Sequence, residues 1–261
     1  MADTLAEPLE SLSSWWKVAA LGTMAAGFAV LILLTAKAYQ NAPPIPDRFV
    51  DLAGAVVFAA DDVIAGQQVF LKHGLMDNGT IWGHGGYLGP DFSAQSLHIL
   101  ALDLADRIAR ARLNRGYPDL TSEVKAAVDG AVALDLKANR YDPASGTLAL
   151  PTGAAQSFNG QIEYWTRYFS EPEGNGGLAR DTVSDPRELR QLTAFFVWTA
   201  WASAATRPGT SHSYTNNFPY EPLAGNIPTA GALIYSALSL VFLLGGTAAV
   251  LLAFGKFDYL G

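Results

Sequence analysis

The sequence predicts a mainly α-helical chain whose large extramembrane domain is held between two transmembrane helices. Three observations predict it. Charged residues make up only 16% of the 261 residues, against half that are hydrophobic, below the usual quarter or so for globular domains. Two long runs near the ends carry no charge. Between them, apolar residues recur at helical spacing, broken by Gly- and Pro-rich stretches.

The first run, residues 18–36, holds nineteen uncharged residues between Lys17 and Lys37. At about 1.5 Å per residue it spans roughly 28 Å, close to a hydrocarbon core of about 30 Å. Trp15, Trp16 and the two lysines suit the interfaces. A cleaved leader fits poorly, because Asp3, Glu7 and Glu10 precede the run and it is long for a signal-peptide core. The second run, residues 230–255, follows Pro228 and closes at Lys256; it is long enough to span with some tilt. This divides the chain into a cytoplasmic N-terminus (1–17), helix 18–36, an outside-facing domain (37–229), helix 230–255 and a cytoplasmic end (256–261). The absence of cysteine excludes disulfides, thiolate nucleophiles, Cys-ligated zinc, iron–sulfur clusters and covalently attached c-type haem. The formal charge of -7, with no basic patch evident, argues against nucleic acid.

Within the domain, residues 42–47 read as a Pro-rich linker. Asp61 and Asp62 stand where an N-cap belongs, before a helix over 63–73 that buries Ile64, Val69 and Phe70. Ser93 can cap a second helix with a stripe of Leu97, Leu100, Leu104 and Ile108, supported by Asp103/Arg107 and Asp106/Arg110 pairs. A weaker helix follows over 121–136, then a turn-rich stretch with a short strand over 147–150, a short helix over 161–169 and a loop over 171–177. Asp185-Pro-Arg-Glu188 is a capping-box start. The fourteen residues that follow from Leu192 are apolar on every side but too few to span, so they predict a buried central helix or one resting on a partner.

Residues 79–92 concentrate the unusual chemistry. Five of fourteen are Gly, interleaved with Trp82, His84 and Tyr87. Glycine serves positive φ or close approach, so this is a loop wrapped on something. Residues 207–226 form a second unusual stretch, read either as an ordered membrane-surface loop with Tyr214 and Tyr220 as belt residues, or as a loop packed on a membrane partner over a buried site. The four histidines, His73, His84, His98 and His212, show no metal-ligand spacing, and hydrogen-bonded or solvent-facing roles are expected. Gly83-x-Gly85 lacks the context of a dinucleotide turn.

Longer motifs carry a resemblance. Gly66-Gln-Gln-Val-Phe70, Gly74-Leu-Met-Asp-Asn-Gly79-Thr-Ile-Trp-Gly-His-Gly-Gly-Tyr-Leu-Gly-Pro-Asp-Phe92, Phe196-Val-Trp-Thr-Ala-Trp201, Arg207-Pro-Gly209, Ser213-Tyr-Thr-Asn-Asn-Phe-Pro-Tyr-Glu-Pro222 and Phe257-Asp-Tyr-Leu-Gly261 together resemble the N-terminal part of quinol-dependent nitric oxide reductases. The resemblance implies a cytochrome-c-like domain without haem, held by the two membrane helices in a bacterial inner membrane and facing the periplasm. In c-type relatives a haem-attachment Cys-x-x-Cys-His precedes a similar loop; those positions fall here on Leu75, Asn78 and Gly79. It further implies a partner: a catalytic twelve-helix core with haem b, haem b3 and a non-haem iron, fed by membrane quinol. That core would be a separate subunit or a continuation of this polypeptide. A calcium bridging the haem propionates would take the backbone carbonyl of Gly85, this chain's one expected metal ligand. No catalytic or haem-binding residue is expected in this chain. The rivals are a nitric oxide dismutase-like relative and a membrane receptor's sensing domain; the latter expects a signalling module where only six residues follow Gly255. On this topology, protease treatment of intact spheroplasts should degrade the large domain; protection of that domain would reverse the orientation.

Overall fold

The computed structural model describes residues 14–257. The acidic leader with Asp3, Glu7 and Glu10, and the closing residues 258–261, lie outside the described residues. The chain divides into two compact units, one running to Pro43 and one beginning at Pro44.

The first unit is built on helix α1 (Ser14–Gln40), which runs past the apolar stretch at both ends because Lys17 and residues 37–40 sustain helix as readily as the core of the run. Its apolar side chains are exposed, Ile32 to 69%. Helix α7 (Ala230–Phe257) behaves alike, with Phe242 76% exposed. Both are long and apolar enough to cross a membrane, and neither buries its apolar window in protein. They fit a membrane protein, since water would not leave such surfaces bare.

The second unit contains helices α2 (Ala60–Lys72), α3 (Phe92–Leu113), α4 (Ser122–Lys137), α5 (Ala154–Ser170) and α6 (Pro186–Ala204), besides α7. Helix α6 is central. Every residue from Leu192 to Ala204 is buried, and α2, α3 and α5 pack on it. Phe196 is the hub: it stacks on Phe92 at 4.9 Å between centroids and 6° between planes, and lies 4.8 Å from Trp165 and 6.2 Å from Phe70. Such pairs add about 0.5–1.5 kcal/mol beyond area burial.

A small sheet, unforeseen apart from its third strand, closes one flank. Strands β1 (Arg48–Val50), β2 (Val56–Ala59), β5 (Tyr141–Asp142) and β6 (Thr147–Ala149) order as β2-β1-β6-β5. β1 runs antiparallel to β2 but parallel to β6, Phe49 opposite Leu148. Phe49 and Phe58 stack at 4.2 Å between centroids, and Phe58 on Phe158 at 4.9 Å. Strands of two to four residues carry too little alternation to be read, and this parallel pairing is a tertiary contact. A hairpin of β3 (Thr80–Ile81) and β4 (His84–Gly85) stands apart.

Several expectations are corrected. Helix α2 begins before Asp61, with Ala59 as N-cap and the Asp62 carboxylate accepting the Ala59 amide at 3.0 Å. Its buried face is Val63, Gly66, Val69 and Phe70, leaving Ile64 46% exposed. The reason is Gly66: a Cβ there would lie 2.0 Å from the Gln191 carbonyl oxygen, so α2 and α6 touch backbone to backbone at this point. That contact turns α2 and carries Ile64 outward. The α3 cap is Asp91, not Ser93, accepting the Ala94 amide at 2.8 Å. The Asp106–Arg110 pair forms at 2.6 Å; with the Tyr117 amide it holds the Asp106 carboxyl below its ordinary range. Helix α5 starts at Ala154 rather than Gln161: the stretch looks turn-rich, but Ser157 and Phe158 are buried and packing overrides propensity. Strand β6 stops at Ala149, one residue short. Asp185 does cap α6, accepting the Arg187 amide at 2.8 Å, but Glu188 does not close a capping box. It reaches Lys72 at 2.5 Å and His73 at 2.9 Å across the α2 junction, and both lower its pKa.

Gly66→Ala should therefore reverse the ordinary sign of a mid-helix substitution. Removing glycine from a helix usually adds about 0.5–1 kcal/mol, whereas overpacking here should cost about 1–3 kcal/mol. A lower unfolding midpoint for the detergent-solubilised variant is the expected result; an unchanged or raised midpoint would show that α2 and α6 can part cheaply.

Candidate functional site

After α2 the chain turns at Gly74, φ 61, into a 3-10 turn over Leu75–Asp77. Leu75 is fully buried in the core. Asn78 is 4% exposed, and its side chain is committed: Nδ2 donates to the carbonyls of Gly176 at 2.8 Å and Asn175 at 3.2 Å, while the one proton of the Tyr168 hydroxyl is shared between Oδ1 at 3.2 Å and the Asn175 carbonyl at 3.0 Å. Burial pushes the Tyr168 phenol up to about 12, so it remains a donor at neutral pH. Gly79 is enclosed: a Cβ would stand 2.3 Å from the Pro90 carbonyl oxygen and 2.6 Å from the Phe92 ring.

The hairpin then turns through Trp82 at φ 52 and Gly83 at φ 80, a left-handed pair suited to a two-residue β-turn. A tryptophan at positive φ is rare, and here three contacts hold it. Its indole N–H donates to the Thr199 carbonyl at 3.1 Å, its amide donates to the Ser93 hydroxyl at 3.1 Å, and its ring lies 5.7 Å from that of Trp198. Asp91 ties the same turn to α3. Besides the Ala94 amide, its carboxylate accepts the Gly83 amide at 2.6 Å, the Thr80 hydroxyl at 2.8 Å and the Ser93 hydroxyl. The return strand folds back on the haem-motif positions: Gly86 donates to Met76 at 2.6 Å, and Leu88 and Gly89 donate to the Asn78 carbonyl at 3.0 and 2.6 Å. What the loop wraps is thus its own preceding turn.

Gly85 sits in β4 with φ +139, and a Cβ would fall 2.3 Å from the Gly79 carbonyl oxygen. Only glycine permits this approach. Gly85 is exposed, and among the described residues its carbonyl accepts no hydrogen bond beyond the hairpin ladder. Gly85 offers backbone alone, and a hard cation takes carbonyl oxygen without needing a side chain.

The second loop, residues 207–226, lies against the first. The Phe218 ring covers Gly83, 3.1 Å from where a Cβ would be. The Phe218–Pro219 bond is cis, and Asn216 and Asn217 hold positive φ. Asn226 is fully buried; its amide donates to the carbonyls of Ser203 and Pro219 at 2.9 and 3.1 Å. The ammonium of Lys137 donates to Asn226 Oδ1 at 2.5 Å and Asn217 Oδ1 at 2.8 Å, locking the loop to α4. Burial among neutral dipoles brings the Lys137 pKa down to about 8. Tyr214 is not a belt residue: it packs 5.6 Å from Trp201 and accepts from Asn139 at 3.1 Å. Tyr220 is 66% exposed.

The histidines do not converge. His73 bonds Glu188, His98 bonds Glu221 at 2.7 Å and His212 bonds Arg207 at 3.2 Å, while His84 is exposed on β4. Among the described residues no three or more His, Cys, Asp or Glu side chains gather as a metal-binding group. What the two loops present instead is exposed apolar surface: Tyr87 is 86% exposed, Leu88 76% and Phe218 40%. Sequence reasoning missed Asp91 as the organiser, although an acid directly before an apolar helical stripe is a capping signal. It had no means to find the Phe218–Gly83 contact.

Compared with curated proteins, the sequence finds no significant match. The family model for the NorB cytochrome c-like domain of nitric oxide reductase matches residues 46–220. That match takes in the whole first loop, the second loop as far as Tyr220 and the helical core around α6, and the chain belongs to this family of nitric oxide reductase cytochrome c-like domains.

Proposed function

We propose that this chain is the non-redox, haem-free part of a quinol-dependent nitric oxide reductase, with its domain on the periplasmic face of a bacterial inner membrane. The overall reaction, two NO plus quinol giving N2O, water and quinone, would take place in a partner core holding haem b, haem b3 and non-haem iron. This chain's own task is docking. The observation that carries this reading is the state of the three haem-motif positions. Leu75 is core, every polar group of the Asn78 side chain is satisfied by protein, and Gly79 has Phe92 and the Pro90 carbonyl where an axial imidazole would start. A c-type haem does not fit these residues, since it needs two cysteine sulfurs for thioether bonds and an imidazole nitrogen for the iron there.

The docking face in this reading is the pair of touching loops. Exposed Tyr87, Leu88, Phe218 and Tyr220 supply the apolar area, as aromatic anchors commonly do at interfaces. The Gly85 carbonyl supplies one oxygen to a calcium whose remaining ligands would come from the core. The cation's contribution is charge neutralisation of partner carboxylates; this chain's contribution is a rigid oxygen, held by the close contact of Gly85 with Gly79. The same docking role would serve a dismutase-like core, which differs from a reductase in the core alone.

The separately purified chain should show no Soret band and no NO consumption. A stoichiometric haem on it would refute the haem-free reading. Co-expressed with the core, Tyr87→Asp combined with Leu88→Asp should reduce co-purification at least tenfold, because both side chains are exposed and their loss leaves the fold intact. In the assembled complex, Gly85→Val should alter the haem spectrum and release calcium; retention of both would exclude Gly85 as the ligand.

A further inference from the structure

An open groove of about 920 Å3 lies between α3 and α4. Leu104, Ile108 and Ala111 of α3 line it at helical intervals, with Ala131 and Leu134 of α4 opposite. Leu134 is 77% exposed, an aliphatic side chain that no part of its own domain covers. Arginines also line the groove: Arg107, Arg110 and Arg112 from α3, and Arg140 from beyond α4, against Asp135 as the lining carboxylate. Arg107, Arg110 and Arg112 stand in one stretch of α3 with no acid between them, and the packing of α3 on α4 adds Arg140 to them.

Their pairing is uneven. Arg140 is committed to Asp135, and Arg110 to Asp106 at 2.6 Å. Among the described residues, neither Arg107 nor Arg112 forms a close ion pair, although Arg107 acts at longer range on the Asp106 carboxyl. Arg107 is also seated. Its side chain lies against Gly153, where a Cβ would come within 2.4 Å of its Cδ, so the guanidinium is held between α3 and the start of α5.

Two guanidiniums outside the close ion pairs, beside an apolar floor in a chain of net charge -7, call for an anion that also has an apolar body. The guanidinium fork matches a carboxylate or phosphate with two parallel hydrogen bonds. The groove volume falls within the roughly 300–1,000 Å3 of small-molecule sites. We propose that the groove between α3 and α4 binds an amphiphilic anion, a carboxylate or phosphate head carried on an apolar chain. The arginines orient the head, and the floor ending in Leu134 takes the chain.

The test uses the full chain in nanodiscs of zwitterionic lipid, titrated with octyl phosphate below its micellar concentration and followed by calorimetry. Saturable binding of one molecule per chain is expected. Arg107→Ala with Arg112→Ala should weaken binding at least tenfold, as should Leu134→Asp, while Lys125→Ala outside the groove should change nothing. Inorganic phosphate and octan-1-ol should each bind at least tenfold more weakly than octyl phosphate. Undiminished binding by the double variant, or octanol binding as tightly, overturns the proposal. Equally tight inorganic phosphate reduces the groove to a plain anion site and overturns the amphiphile assignment. Nanodiscs carrying phosphatidylglycerol that compete in an arginine-dependent way would support the proposal with a lipid head group as the source; absence of competition, with octyl phosphate still bound, would support it with a soluble amphiphile.

Discussion

Burying α6 on all sides is the constraint from which the second unit follows. A helix with no solvent-facing residue from Leu192 to Ala204 must be covered completely, and α2, α3 and α5 do this. The closest approach falls where a side chain is missing, at Gly66 against the Gln191 carbonyl. The densest falls where rings stack, at Phe196 with Phe92 and Trp165. Close-packed interiors transmit such local choices. The tilt of α2 at Gly66 decides that Val63 faces inward and Ile64 outward.

The two loops depend on the same helix. Trp82 reaches the Thr199 carbonyl of α6, and Phe92, which fixes the start of α3, stacks on Phe196. Asp91, one residue earlier, then serves four donors from the loop and the helix start. A carboxylate that accepts this many hydrogen bonds is charge-assisted at each one, so the hairpin is held by polar contacts where it has few apolar ones. The second loop closes the arrangement through Phe218 over Gly83 and through the Lys137–Asn226 bond.

The aromatic cluster of Phe70, Phe92, Trp165 and Phe196 packs the centre of the second unit, and Asn78 is a bridge to the loop at Asn175 and Gly176. Buried polar groups persist when every hydrogen-bonding position is satisfied. Asn78 meets that condition through Tyr168 and two carbonyls, which accounts for a polar residue in an interior position.

The sequence by itself determined the elements whose physics is local. Two uncharged runs of bilayer length, the Leu97–Leu100–Leu104 stripe and the Asp185–Pro186 cap are each legible within a few turns of chain. So was the need to cover α6 on every side, inside the domain or against a partner; the structure buries it in the domain. The motifs around residues 66–92 and 196–222 pointed to the family that the matched residues bear out. Tertiary structure decided everything that pairs distant residues. It set the parallel partnership of Arg48–Val50 with Thr147–Ala149, the diversion of Glu188 from its own helix start to Lys72 and His73, and the meeting of Phe218 with Gly83. It also brought Arg140 to the arginines of α3 in one groove. The reason is common to all of these. Short-range patterns specify which surface of an element is apolar, but the rotation at which two elements meet is set by the few atoms that touch, and those atoms are far apart in the chain.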